Sequence, residues 1–122
     1  MVVAVRLASV LALGGAALAQ RQPRALPVFS GVYGEGLDEH ARFGRELGAR
    51  FAPTIAARLD ASAPPALAWV RSGDATAARV YAAFEAAHDA AFPAYMAELR
   101  ALADGAQVPF DAVLVGSESQ YE

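Results

Sequence analysis

An apolar residue at every fourth position is the sequence feature that most constrains the fold of this chain. The stripe is formed by Phe43, Leu47, Phe51, Ile55 and Leu59. Because four residues are close to one helical turn, this repeat places all five side chains on one side of an α-helix. We predict an amphipathic helix from about Leu37 to Asp60, and the acidic Asp38 and Glu39 suit its positive start.

Three residues disturb this helical pattern. Pro53 lacks a backbone N–H in the middle of the stripe, so the helix should bend or split near Arg50. Gly44 and Gly48 lie four residues apart beside the stripe. Each glycine costs about 1 kcal/mol of helix propensity relative to alanine, while its missing side chain lets another backbone approach closely. We therefore expect another element to pack against the two glycines.

The rest of the chain also has mainly helical patterns, separated by proline and glycine. The predicted segments are a short helical turn at 66–70, a helix from about Asp74 to Ala91, a helix from Pro93 to Asp104, and a last apolar turn at 110–115 that fits helix or strand. Trp69 is expected to fill the core, and Gly105 to cap the third of these segments. The fold class is therefore mainly α, with at most one or two short strands.

The first residues have the pattern of a cleavable secretory signal. Arg6 is followed by the apolar run 7–18, and Ala17 and Ala19 put small residues before a cleavage point at Gln20. The run is shorter than the roughly 20 apolar residues of a membrane span, so no stable span is expected. We predict a signal peptide at 1–19, a linker and glycine-rich turn at 20–36, a helical segment at 37–122 and an extracytoplasmic location.

Charge and cysteine content exclude several classes of function. The chain has 10 basic residues, 13 acidic residues and a formal net charge of −3. This balance provides no excess of positive charge for phosphates, so a nucleic-acid partner is not expected. The absence of cysteine excludes disulfides, thiolate metal sites and a cysteine nucleophile within this sequence.

The residues do not form a recognisable catalytic or metal-binding motif. His40 and His88 lack ligands at the spacing that zinc prefers, and no serine stands in the Gly-x-Ser-x-Gly turn of a nucleophile elbow. We therefore assign no catalytic, cofactor or metal-binding residue and expect no cofactor. Tyr95, Glu98 and Asp104 are the residues expected to help shape a pocket or an interface.

The most specific stretch of the sequence runs from Tyr95 to Leu114. The residues in and just before this stretch that match the pattern of a known family are Pro93, Tyr95, Glu98, Ala103, Gly105, Ala106, Val108 and Phe110. In these residues the chain resembles the acyl-coenzyme A:6-aminopenicillanic-acid acyltransferase-like hydrolases, in a segment of the form P-x-Y-x-x-E-h-x-G-I-A-x-G-A-G-V-x-F, where h is apolar. Gly34-Glu-Gly36 and 43–48 are similar to that family's early glycine motif. The resemblance covers about Val28 to Leu114.

The resemblance implies an N-terminal nucleophile hydrolase of αββα architecture. Members of this family cut themselves before a cysteine, whose own α-amine can then serve as general base. The matching segment is the upstream, helical one, which becomes the small chain and contributes packing and part of the substrate pocket. The expected partner is therefore a catalytic chain or a downstream portion of the same precursor, and the expected substrate is acyl or peptide-like, with an amide or acyl-thioester bond.

A second hypothesis is a stand-alone exported helical binding module without catalytic activity. Its apolar stripes and the Gly44–Gly48 face would close on each other as a small bundle. A small chain separated from its catalytic chain should instead expose a broad apolar surface. That surface would be formed by residues such as Val80, Phe84, Tyr95 and Leu99.

Overall fold

The computed structural model describes residues 29–118, which contain five α-helices and no strand. The helices are α1 (Leu37–Ala61), α2 (Pro65–Val70), α3 (Ala75–Ala91), α4 (Pro93–Ala106) and α5 (Phe110–Glu118). The mainly α prediction is confirmed for this range, and the ambiguous last segment is a helix. The chain divides into two units after Ser30, and all five helices belong to the second unit.

Some of the predicted segments lie outside the described residues. These are the signal peptide at 1–19, the part of the linker at 20–28, and the last four residues, 119–122. Residues 29–36 are described and are not helical. Within the second unit, residues 31–36 are held to α1, where Arg42 donates to the carbonyl of Val32 at 2.8 Å and the hydroxyl of Tyr33 donates to Glu46 at 2.5 Å.

Helix α1 has the predicted limits and the predicted bend. Its backbone leaves helical geometry at Phe51, with φ −114° and ψ 18°, next to Arg50 and two residues before Pro53. Because Pro53 cannot donate to the preceding turn, the two halves of α1 need not follow one straight axis. The residues of the apolar stripe are only half-buried. Instead, the fully buried positions of α1 are Gly44 and Gly48.

Helix α4 packs against these two glycines in the most extensive helix contact of the described residues. A Cβ atom on Gly44 would lie closer than 3.0 Å to the carbonyl of Glu98, and one on Gly48 equally close to the carbonyl of Leu102. The expectation that another element packs on this glycine pair is confirmed. The two helices approach so closely because no side chain separates their backbones.

The predicted role of Gly105 is wrong, and the same close approach explains why. Helix α4 continues through Gly105 to Ala106, and its C-cap is Gln107, in the left-handed conformation with φ 57° and ψ 42°. A Cβ on Gly105 would overlap the carbonyl of Arg45 on α1. Gly105 therefore leaves space for α1 instead of ending α4.

The apolar core lies between α4 and α5. Its buried members are Met96, Leu99, Ala103, Val113 and Leu114. Partly buried side chains from α1 and α3, including Leu59, Tyr81 and Phe84, pack around them. Trp69 was predicted to fill the core, but 44% of it is exposed, while Leu67 on the same short helix is 7% exposed. Helix α2 has only six residues, so it buries one side chain and leaves the indole on the other side.

Helices α2 and α3 are fixed partly by polar contacts. Arg71, at the end of α2, makes two hydrogen bonds of 2.7 Å to the carboxylate of Asp111 on α5. Asp74 caps α3 by accepting from the backbone N–H groups of Thr76 and Ala77, as its position before the helix predicts. Within residues 29–118, no helix has the length and apolar character that crossing a membrane requires.

Candidate functional site

A cleft lies where α3 ends, α4 begins and the first turn of α1 passes. Its volume is about 480 Å³. It is lined by His40, Ala91, Phe92, Pro93, Ala94, Tyr95 and Glu98. Small-molecule sites have volumes of this order, and they too combine apolar walls with a few polar groups.

The polar end of the cleft is formed by one residue from each of two helices. The Nδ1 atom of His40 lies 3.2 Å from Oε2 of Glu98, and the two side chains are 34% and 27% exposed. The residues are 58 positions apart in the sequence. They meet because Gly44, one turn after His40, packs directly on the backbone of Glu98. The close helix crossing therefore creates the pair.

The apolar end of the cleft is formed by the start of α4. Phe92 is the N-cap residue and Pro93 the first residue of the helix, where a missing N–H costs nothing. Phe92 and Tyr95 remain 57% and 40% exposed. Phe92, Tyr95 and Glu98 are spaced by three residues, so two aromatic rings and a carboxylate follow one another along one side of α4.

The predicted pocket residues are only partly brought together. Tyr95 and Glu98 line the cleft, but Asp104 is exposed near the end of α4 and does not. The sequence interpretation did not place His40 and Phe92 at a pocket. The signal for His40 was its position one turn before Gly44, because a residue there faces whatever packs on that glycine. Phe92 could have been found as the large apolar residue just before a proline that begins a helix.

The predicted apolar surface is also only partly present. Val80 and Tyr95 are exposed, at 47% and 40%. Phe84 is half-buried against the core, and Leu99 is a core residue with 8% exposure. Leu99 faces inward, in one buried cluster with Val113 and Leu114 of α5, which the sequence spacing alone does not show.

The second histidine, His88, is held by contacts within α3. Nδ1 of His88 lies 2.8 Å from the carbonyl of Phe84, and the two rings are 4.1 Å apart. A hydrogen bond to the preceding turn and a packed ring explain its place on α3. No group of three or more potential metal ligands occurs among the described residues.

Outside the cleft, the strongest electrostatic cluster surrounds Arg100. Its guanidinium contacts Asp89 at 2.6 and 2.7 Å and Glu85 at 2.8 Å, and it lies 5.1 Å from the ring centre of Phe110. The hydrogen bond from Arg100 lowers the pKa of Asp89, and the carboxylates raise the pKa of Arg100. Burial raises the pKa of Tyr81 nearby. This cluster joins α3, α4 and α5.

The chemistry available in the cleft follows from its lining. The carboxylate of Glu98 can orient the imidazole of His40, and both can form hydrogen bonds with a bound molecule. None of the lining residues carries the hydroxyl of serine or threonine or a thiol. The arrangement is therefore suited to binding, and these residues do not assemble a nucleophile with its base.

Comparison with known proteins finds no matching family, no similar curated protein and no similar solved structure.

Proposed function

We propose that this chain is the upstream, small-chain part of a secreted self-processing hydrolase or acyltransferase, with the helical segment of an αββα N-terminal nucleophile fold. The enzyme would act on amide or acyl-thioester bonds. Its catalytic cysteine would belong to a portion of the protein outside this sequence, which contains no cysteine.

The packing of α1 on α4 is the observation that supports this proposal. The two stretches that resemble the hydrolase family, 43–48 and 95–114, are about 50 residues apart in sequence but face each other in the structure. Gly44 and Gly48 of the first stretch meet the carbonyls of Glu98 and Leu102 in the second. Residues that form one motif pattern therefore also form one physical unit.

Further positions of the resemblance have roles in the same unit. Gly105 admits the backbone of Arg45, while Val108 and Phe110 pack at the edge of the core. Only Tyr95 and Glu98 among the matching polar residues line the cleft. This distribution fits a segment that mainly provides scaffold and one wall of a pocket.

The test is the chain composition of the native protein. Antibodies against the helical segment would isolate it from the cells that produce it, and intact mass with amino-terminal sequencing would identify every chain present. We expect a second, tightly bound chain that begins with cysteine and is encoded downstream in the same reading frame. A homogeneous preparation of the present sequence alone would overturn the proposal.

Alkylation provides a second readout in the same preparation. Iodoacetamide should abolish hydrolysis of acyl amides by the purified material. Since the present chain has no cysteine and thiolates react fastest with iodoacetamide, a rapid loss at low reagent concentration would point to a thiol on the second chain. Amide hydrolysis that is unaffected by iodoacetamide would contradict a cysteine mechanism.

The alternative, a stand-alone exported binding module, is favoured by one observation. Residues 29–118 close a core of their own, in which Met96 and Leu114 are fully buried and no buried side-chain polar atom lacks a partner. The full chain, produced alone, separates the two hypotheses. A cooperatively unfolding monomer favours the binding module, whereas partial folding and strong binding of a hydrophobic dye favour a small chain that lacks its partner.

A further inference from the structure

The cleft between α1 and α4 has a definite charge character. Glu98 is the one formally charged residue among its lining residues when His40 is neutral, and neither lysine nor arginine contributes to its walls. Its carboxylate is 27% exposed and is held by His40 at 3.2 Å, so it has a fixed position and still reaches solvent.

Beside this carboxylate, the aromatic residues Phe92 and Tyr95 are accessible to solvent. They are 57% and 40% exposed, whereas large apolar side chains elsewhere on α4, Met96 and Leu99, are 0% and 8% exposed. The faces of aromatic rings attract cations because of their negative quadrupole, and a nearby carboxylate adds direct charge attraction. An apolar body would also lie against Ala91 and Pro93.

We propose that this cleft binds a small organic ammonium ion with an apolar or aromatic body. The ammonium group would lie against the carboxylate of Glu98, and the body would cover the rings of Phe92 and Tyr95. The volume of about 480 Å³ fits a free small molecule. The site does not depend on the proposed enzymatic function, since it uses only residues of α1 and α4 and the residues just before α4.

The same cleft contains one feature that would favour an anion instead. Phe92 provides no side-chain cap for α4, so the backbone N–H groups of Ala94 and Tyr95 have no capping partner. These groups carry a partial positive charge, whereas Glu98 carries a full negative one. The carboxylate therefore decides the sign of the ligand, and an aromatic anion becomes the decisive competitor.

The experiment compares three probes of nearly equal size with the full chain: benzylammonium, benzyl alcohol and benzoate. Amide chemical shifts are recorded by NMR during each titration. We expect benzylammonium to shift the amides of His40 and of residues 91–98 other than Pro93, which has no backbone N–H, with a millimolar dissociation constant, as few contacts in an open cleft allow. Benzyl alcohol should bind roughly fivefold more weakly because it lacks the charge.

Two variants test the assignment to residues. Glu98→Gln should raise the dissociation constant of benzylammonium roughly fivefold without changing that of benzyl alcohol. Asp104→Asn removes an acidic charge from the exposed end of the same helix and should change neither value. Tyr95→Leu keeps an apolar side chain but removes the ring, so it should weaken benzylammonium binding more than benzyl alcohol binding. Circular dichroism checks that each variant folds as the parent chain does.

Three results would overturn the proposal. Tighter binding of benzoate would assign the cleft to the N–H groups at the start of α4. Equal binding of all three probes would show an apolar surface without charge selection. Shifts outside the cleft, or no shifts at tens of millimolar probe, would show that this cleft is not a binding site.

Discussion

Helix α4 is joined to α1 and to α3 by two different kinds of contact. On the α1 side, Gly44, Gly48 and Gly105 allow backbone to lie against backbone. On the α3 side, contact is made through side chains, mainly the ion pairs of Arg100 and the packing of Tyr81 and Phe84. The α1 contact depends on the absence of side-chain atoms at these three glycines, and the α3 contact depends on charge and ring packing. The two sides should therefore respond differently to added volume, lost charge and acid.

The largest effect is expected from adding one methyl group to the α1–α4 contact. Gly48→Ala and Gly105→Ala should each lower the free energy of unfolding by about 3 kcal/mol, because the new Cβ would meet backbone that cannot rotate away. Urea denaturation followed by circular dichroism measures the change.

Gly116→Ala is the matched control. It also lies in a helix, but its Cβ would meet only the end of the Leu59 side chain, at 3.3 Å. At this position the gain in helix propensity and the loss from slight crowding should nearly cancel. The free energy of unfolding should therefore change by less than about 1 kcal/mol. Equal losses at all three glycines would show that helix propensity, and not the close approach, controls stability.

Removal of the charge on the α3 side should have a smaller effect. Arg100→Met keeps much of the side-chain length but leaves Glu85 and Asp89 without their shared cation. We expect a loss of about 1 kcal/mol, because Arg100 is 39% exposed and solvent screens its ion pairs. High salt should reduce the difference between Arg100→Met and the parent chain, but it should leave the effect of Gly48→Ala unchanged. The same salt dependence in both variants would contradict the distinction between the two contacts.

Acid should also weaken a charged contact elsewhere in the fold, between Arg71 at the end of α2 and Asp111 on α5, and spare the glycine contact. The hydrogen bonds from Arg71 hold the pKa of Asp111 below its usual value, so this carboxylate stabilises the fold above the pKa of the unfolded chain. That contribution is lost as the pH falls through the lowered pKa. Asp111→Asn should cost up to about 1 kcal/mol at pH 7 and progressively less as the pH falls through the lowered pKa of Asp111. Urea titrations across this range would detect the convergence, and a difference that persists in acid would contradict it.

The smallest effect is expected on the outer side of α3. Ala83 is exposed, so Ala83→Gln should change the free energy of unfolding by no more than about 0.5 kcal/mol. The paired variant Ala103→Gln places the same side chain where only 1% of the residue is exposed, and it should be strongly destabilising. Thermal unfolding of the two variants compares an exposed position on α3 with a buried position on α4. A large loss for Ala83→Gln would show that the outer face of α3 is covered.

The predictions from sequence succeeded where local patterns determine the result. The apolar repeat gave the limits of α1, Pro53 indicated its bend, and Gly44 with Gly48 indicated a closely packed partner. The predictions failed where a residue's role depends on which helices pack against each other. Gly105 has the residue type of a cap, and Trp69 that of a core residue, but the position of α1 and the shortness of α2 decide otherwise.

The candidate site shows the same limit. Tyr95 and Glu98 were predicted because they lie within one distinctive stretch, and both line the cleft. His40 is 58 residues from Glu98, and its position one turn before Gly44 indicates a packed neighbour but not which residue that neighbour is. Their contact requires the register of α1 on α4, which is set by the glycines. A prediction that placed Gly44 opposite Glu98 would have identified the pair.

The glycine contact between α1 and α4 also restricts how this sequence can evolve. Every other amino acid carries a Cβ, so no smaller replacement exists for Gly44, Gly48 or Gly105, and even alanine is too large at these positions. A change on the facing helix could not compensate easily, because the neighbouring atoms belong to the backbone, which every residue type shares. Descendants of this chain can vary the exposed alanines of α3 freely, but they must inherit these three glycines or give up the helix pair.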